Sequence, residues 1–302
     1  LTGRPIFATL RDTGLICPIA TCLLTHERVP ADCSSWKLQA ECLAPYLDTY
    51  VKPGRWTRVR VRLATALLYW DARVKAALLR RCDGVIAVSA ALRILYAEAR
   101  QLPVERFHVV RTPIPSAPAR WPHRNPIFAP APSVLYVGKL SPGKGGPVFL
   151  EASERVSKER DRVIFLVAGP DRPPRSSANV RWLGHVQHKD MAELYRSVDL
   201  VVVPSVGPEA LSRVVLEAAA EGTPTIGARA GGIPEEIRHG QTGWLVARGD
   251  AVALAKAIGD ALDDTERLRV MGQAARSFVA DHFGPNQIVR EVLAVYSGVA
   301  SS

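Results

Sequence analysis

The stretch Pro208-Glu-Ala-Leu-Ser-Arg-Val-Val-Leu-Glu-Ala-Ala-Ala-Glu-Gly-Thr-Pro224 decides how the rest of the sequence is read. It follows the apolar run Leu200 to Pro204, which has the length and the β-branched content of a buried strand. A short loop then leads into a helix expected to begin near Leu211, so that the unpaired N–H groups of the first turn lie beside Glu209. A helix start of this kind favours a diphosphate, through its dipole and its backbone donors. Glu217 stands two turns further along. Carboxylates repel phosphate, so the partners that suit Glu209 and Glu217 are hydroxyls, such as those of a sugar and a ribose. On spacing alone, a solvated helix face would explain both.

Outward from this stretch, residues 128 onward alternate between two patterns. Strand-like runs are Val134 to Leu140, Val163 to Ala168, Val180 to Leu183, Leu200 to Pro204, Thr225 to Ala228 and Trp244 to Val246. Helical patterns separate most of them, at Pro147 to Lys158, Lys189 to Ser197, Ser212 to Glu221 and Val252 to Leu262, and two more follow at about Glu266 to Asp281 and Pro285 to Tyr296. Strands that alternate with helices predict an α/β fold with a parallel, doubly wound sheet, whose ligand lies beyond the carboxyl ends of the strands at the topological switch.

Two further loops have that position. Gly138-Lys-Leu-Ser-Pro-Gly-Lys-Gly145 comes directly after a strand and opens a helix, which suits phosphate binding by backbone N–H groups. It meets the G-x4-G-K spacing, but Gly145 stands where a nucleotide triphosphatase needs a hydroxyl for magnesium. The residues therefore favour a diphosphate cradle with Lys139 and Lys144 over an ATPase; a tight turn with exposed lysines is the simpler alternative. Ala230-Gly-Gly-Ile-Pro-Glu-Glu236 also follows a strand and starts a helix, and its paired glycines allow backbone to approach a ligand closely.

The first part of the chain differs in charge. Residues 1–124 hold 19 Lys and Arg against 9 Asp and Glu, whereas residues 125–302 hold 20 against 20, so the net charge of +10 lies wholly in the first part. Such asymmetry suggests a face for phosphate, anionic lipid or nucleic acid, and no nucleic-acid motif accompanies it. Arg4 to Leu10 reads as a short strand. Trp56 to Arg81 reads as a helix with Val59, Leu63, Leu67, Trp70, Val74 and Leu78 on one face, flanked by Arg58, Arg60, Arg62, Arg73, Lys75, Arg80 and Arg81. Two readings stay open for that helix: a core helix with a solvated face, or docking on an anionic membrane surface. Gly84 to Ser89 reads as a strand handing over to a helix from Ala90 to Ala99, and Phe107 to Val110 as a further strand. Seven prolines from Pro113 to Pro132 mark a linker, with the domain boundary placed near residue 128. Cys17, Cys22, Cys33, Cys42 and Cys82 lack paired C-x2-C spacing, which favours free thiols over a metal site built from the first four. With 47% apolar residues and no long uncharged apolar run, the chain is expected to be globular, cytoplasmic, and at most peripheral at the inner face of the plasma membrane.

Together, and in this order, these loops resemble the second domain of the GT-B glycosyltransferases of family 4, over almost all of residues 130–285. The resemblance rests on Val137-Gly-Lys with Lys144, Ala168-Gly169, Leu183-Gly-His-Val186, Glu209 and Glu217 in an E-x7-E spacing, Glu217 to Pro224, Gly231 to Glu235, and Thr242 to Val246. The first half is similar to the family's acceptor-side domain at Ala8 to Asp12, where Arg11 stands at the position of the family's His, and at Ile86 to Ser89. The resemblance implies a GT-B fold of two Rossmann-like domains facing a cleft: an incomplete acceptor-side domain with linker at 1–127, a donor domain at 128–285 and a last helix at 286–302 crossing back to the first. It implies that about the first quarter of the enzyme, including a glycine-rich loop, lies upstream of Leu1.

For chemistry the resemblance implies a retaining transferase that takes a UDP- or GDP-sugar, needs no cofactor and no metal, and acts on a lipid-linked, polysaccharide or other glycan acceptor. Lys144 and Lys139 would neutralise the diphosphate. Lys139 stands where the family more often has Arg. Glu209 would meet the sugar hydroxyls and Glu217 the ribose, while Gly138 and the N–H groups of Leu211, Ser212 and Arg213 would complete the contacts. Val186 would lie near the base, and Arg11 would serve in catalysis. A nucleotide-sugar binding module without turnover and a GT-B sugar-nucleotide epimerase are the alternatives.

Overall fold

A computed structural model describes residues 4–20, 23, 29–30, 32–50, 55–100, 102–114, 131–173 and 180–300. It divides into two compact units, residues 1–112 with 289–302, and residues 113–288. The proline-rich stretch, and with it the expected boundary near 128, lies outside the described residues, as does Cys22 of the cysteine cluster. Cys17, Cys33, Cys42 and Cys82 are free thiols.

In the first unit, β1 (Phe7–Leu10), β2 (Gly84–Ala87) and β3 (Phe107–Val109) form a parallel sheet in that order. Between β1 and β2 lies α1 (Arg55–Leu78), and α2 (Ala90–Arg100) follows β2. Helix α2 begins after Ser89, whose hydroxyl accepts from the Leu92 N–H at 3.1 Å as an N-cap. Helix α1 packs on the unit with one face and leaves the other solvated, but the covered face is not the apolar stripe. Its buried residues are Thr65, Tyr69, Ala72 and Ala76, whereas Leu63, Leu67 and Trp70 are 64%, 73% and 60% exposed. The covered face thus carries Thr65, Tyr69 and two alanines, and the bulkier apolar stripe faces out. Among the described residues no helix is long and apolar enough to cross a membrane.

The second unit carries six parallel strands in the order β6-β5-β4-β7-β8-β9: β4 (Ser133–Val137), β5 (Ile164–Ala168), β6 (Val180–Gly184), β7 (Leu200–Val203), β8 (Thr225–Ala228) and β9 (Gly243–Val246). Their connections include α3 (Gly146–Glu159), α4 (His188–Ser197), α5 (Arg213–Ala220), α6 (Ile233–Glu236) and α7 (Ala251–Leu262), and then come α8 (Thr265–Phe283) and α9 (Pro285–Ala300). The central strands are buried on both faces, which is why they read as continuous apolar runs. Val134, Tyr136, Phe165, Val167, Leu200 and Val202 pack with Phe149, Leu254 and Ile258 from α3 and α7 on one face. Leu135, Leu166, Val201 and Val203 pack with Met191, Leu194 and Val215 from α4 and α5 on the other. Each such side chain contributes about 1.5–3 kcal/mol on burial, so the sheet is a rigid platform for the loops at its ends.

The strand order reverses between β4 and β7, which pair directly from Val134↔Leu200 to Tyr136↔Val202. The loops after these two strands are Gly138–Gly145 and Pro204–Ser212, so the fold brings the two leading candidate loops to one topological switch.

Candidate functional site

The loop after β4 is held from beneath by Tyr136, whose hydroxyl donates towards the Lys139 carbonyl at 2.6 Å and the Lys144 carbonyl at 3.2 Å. Burial, with the carboxylates of Asp171 and Glu209 nearby, keeps this phenol above the ordinary tyrosine range, so it stays a neutral donor. Asp171 accepts from the Leu140 N–H at 2.9 Å and fixes the outer side of the loop. Gly145 closes it in the left-handed region at φ 73°, where a β-carbon would lie 1.8 Å from the Pro204 carbonyl oxygen. The loop after β7 therefore rests on the loop after β4. Val206 and Gly207 N–H groups add bonds to the Gly143 carbonyl at 3.0 and 2.9 Å.

Across this contact Lys144 Nζ meets Glu209 Oε1 at 2.7 Å, and Ser205 Oγ donates to the same oxygen at 2.8 Å. The Lys144 side chain is 54% exposed and that of Glu209 14%. An ion pair with one exposed partner is worth about 0–1 kcal/mol, so it exchanges readily for a competing anion. Gly231 and Gly232 pack on the backbone of Glu209; the Gly232 N–H donates to the Glu209 carbonyl at 2.7 Å. All three sequence-selected loops thus meet at Glu209. Lys139 is exposed on the same loop as Lys144, and Gly138 opens that loop.

Helix α5 starts at Arg213, two residues later than expected, because the Ser212 hydroxyl accepts from the Val215 N–H at 3.4 Å and makes Ser212 the N-cap. Leu211 is therefore a loop residue. The Ser212 N–H, expected to face a ligand, donates to both carboxyl oxygens of Glu236 at 3.0 Å. Glu236 is 1% exposed. Burial pushes its carboxyl well above the ordinary glutamate range, against the lowering effect of the Ser212 N–H. A raised folded value means that stability is fully present below the unfolded pKa and is lost as pH rises through the folded one. Glu236→Gln keeps an acceptor for Ser212 but cannot ionise. Its stability relative to wild type should rise steadily as pH is raised from about 4, read from urea unfolding at successive pH values. A difference that does not change with pH would contradict this.

Glu217 accepts from Arg213 at 2.9 Å and from the Tyr195 hydroxyl at 3.2 Å. Burial and the Glu217 charge hold Tyr195 above the ordinary tyrosine range. Glu217, Arg213, Tyr195 and His188 line a cavity of about 230 Å³ between α4 and α5. Val186 lies two residues before His188, in the loop after β6. A larger hollow of about 810 Å³ lies at the opposite, amino-terminal ends of the strands, beside Asp199 and Pro224, away from these loops. In the first unit, Arg11 follows β1 and is exposed, and the next carbonyl, of Asp12, accepts from Tyr96 at 2.9 Å. Among the described residues no three His, Cys, Asp or Glu gather into a cluster that could hold a metal ion.

Residues 131–264 match the family described as Glycosyl transferases group 1. That stretch is a group 1 glycosyl transferase domain. Lys144, Glu209, Glu217 and Glu236 all lie within it. Glycogen synthase of Mycobacterium tuberculosis is 31% identical over 235 residues, which cover 74% of this chain and 56% of that protein. The chain spans about half the length of the curated relatives it matches. Sucrose-phosphate synthase of Thermosynechococcus elongatus shares the fold with a TM-score of 0.66 at 23% identity, over 98% of this chain and 68% of its own. HepE of Anabaena, solved with UDP and glucose, has a TM-score of 0.64 at 23% identity, over 75% of this chain and 66% of its own. The two parallel sheets, one of them built on the group 1 domain, are those of the GT-B fold.

Five residues that support the candidate site were not singled out in the sequence: Tyr136, Asp171, Tyr195, Ser205 and Glu236. Ser205, directly after the strand end at Pro204 and four residues before Glu209, had the most legible position.

Proposed function

We propose that this chain carries the donor-binding half of a retaining glycosyltransferase that takes a nucleoside diphosphate sugar, with UDP- and GDP-sugars as the candidate donors. The observation that carries the reading is the Lys144–Glu209 contact at 2.7 Å across the topological switch. A donor diphosphate would draw Lys144 away from Glu209 and bring Lys139 from the same loop. Glu209, released, would accept from sugar hydroxyls. Leu211 and Arg213 N–H groups at the start of α5 would add donors, while the Ser212 N–H stays with Glu236. Glu217, opening on the cavity beside His188, would take the ribose, with the base towards Val186.

In this reading the acceptor hydroxyl, of a glycan or lipid-linked saccharide, attacks the anomeric carbon on the face from which the diphosphate departs and gives its proton to the departing phosphate oxygen, so configuration is kept. The lysines neutralise the charge that grows on the leaving phosphate, and catalysis rests on positioning and electrostatics rather than on a metal. The known complex of HepE with UDP and glucose is the reason for testing UDP-sugars first.

A thermal-shift screen with UDP, GDP and their sugars tests donor binding. At a hundredfold excess over Kd, stabilisation of about 2.7 kcal/mol should raise Tm by about 5–10 °C, and EDTA should not diminish it. Nucleotide release that depends on a glycan acceptor, with an NMR spectrum showing the donor's anomeric configuration in the product, tests transfer. No shift with any nucleotide would overturn the reading. A shift without nucleotide release would leave a binding module, and interconverted donor would identify an epimerase.

A further inference from the structure

Helix α1 presents two opposite faces. Thr65, Tyr69, Ala72 and Ala76 are only 3–4% exposed, whereas Val59, Leu63, Leu67, Trp70, Val74 and Leu78 are 44–73% exposed. At 3.6 residues per turn the second set lies on the side of the helix away from the first and forms one continuous stripe. From residue 59 to residue 78 it runs about 28 Å at about 1.5 Å per residue. Arg62 and Arg73 fall along one edge of the stripe, and Arg60 and Lys75 along the other. The acid on this surface, Asp71, is paired with Lys75 at 2.7 Å. Beyond the Arg73 edge, between α1 and the end of α2, lies a cavity of about 410 Å³ lined by Arg73, Arg80, Arg100, Cys33 and three alanines. No acid is among those lining residues. The Nε–Nη2 edge of Arg100 is engaged there by backbone, donating to the Leu15 carbonyl at 3.1 and 2.9 Å and to that of Ile16.

The geometry points to an anionic lipid surface as the partner of this face. The stripe has the length and the one-sided exposure of a helix that lies in the interfacial plane, its apolar side chains among the acyl chains and its basic edges among phosphates. The three-arginine cavity at one edge suits a phosphodiester headgroup, since guanidinium forks pair with phosphate oxygens in a plane. Charge decides between this partner and a second copy of the chain. A two-fold contact through the stripe would set basic edge against basic edge, with only the already paired Asp71 to offset them. An anionic bilayer reverses that sign at every rim position. The inference stands on the first unit and does not depend on the donor reading.

Flotation of the full chain with vesicles of phosphatidylcholine, with and without phosphatidylglycerol, tests it. Binding should require phosphatidylglycerol and weaken in high salt. Leu67→Glu with Val74→Glu should reduce binding by at least about tenfold, and Arg62→Glu with Arg73→Glu by about tenfold. Trp70 fluorescence should be quenched by brominated lipid, and the quenching should fall in Trp70→Phe. Because the substituted side chains are exposed, circular dichroism and Tm should stay those of the wild type, which separates loss of docking from loss of fold. Equal binding to neutral vesicles, wild-type binding by both double variants, or no binding at all would overturn the proposal. So would a wild-type dimer in sedimentation that Leu67→Glu with Val74→Glu converts to monomer.

Discussion

Glu209→Ala should bind UDP as tightly as the wild type, or a few-fold more tightly, while transfer falls by about 10²–10³-fold. The asymmetry follows from who holds Lys144. Its ammonium lies 2.7 Å from Glu209, so a pyrophosphate must displace a carboxylate before it gains the cation. Removing Glu209 frees Lys144 and takes a negative charge away from the phosphates, but it also removes the acceptor proposed for the sugar hydroxyls. Lys144→Ala has the opposite character. It deletes a charge-assisted contact worth about 1.5–3 kcal/mol and leaves Glu209, still held by Ser205, facing the diphosphate. UDP affinity should fall by about 10–100-fold, and transfer with it. Because the two side chains touch, their effects on UDP binding should not add: in Glu209→Ala the further loss of Lys144 acts without a carboxylate left behind. Titration calorimetry with UDP and initial rates of transfer on the four proteins check this. Weaker UDP binding in Glu209→Ala than in Lys144→Ala would contradict the roles.

The second unit was legible because its physics is local. Strands covered on both faces read as apolar runs, and the helices between them keep their period, so β4 to β9 and α3 to α8 fall close to where the sequence pattern places them. Strand ends followed by Gly, Lys or Glu then mark the loops at the switch. What escaped were the partners that only tertiary contact supplies. Tyr136 is indistinguishable in sequence from a core strand residue until its hydroxyl reaches two loop carbonyls. Glu236 looks like one of two solvated acids until the short α6 turns it beneath Ser212. The start of α5 moved by two residues because a serine three positions before Val215 caps more effectively than Leu211 could. Helix α1 shows a deeper limit. A periodic stripe tells that a helix has two faces, but not which one the protein covers, and here the alanine-rich face is the buried one.

Gly145→Ala should lower Tm by about 10 °C and abolish stabilisation by UDP. Two costs combine. At φ 73° an alanine pays about 1–2 kcal/mol for the left-handed conformation. Its methyl group would also lie 1.8 Å from the Pro204 carbonyl oxygen, an overlap no rotamer can relieve because both groups belong to backbone. The loop after β4 must then lift from the loop after β7, which stretches the Val206 and Gly207 bonds to the Gly143 carbonyl. A total near 3 kcal/mol or more, at about 2–4 °C per kcal/mol for a unit of this size, gives the expected shift. Gly249→Ala isolates the first cost: its φ is 77°, and nothing lies within 4 Å of the added carbon. That variant should lose only a few degrees and keep its response to UDP. If Gly145→Ala melted with Gly249→Ala, the two loops would not be in the contact that sets Lys144 against Glu209. The donor site would then lack the fixed spacing between cation and carboxylate on which its proposed chemistry rests.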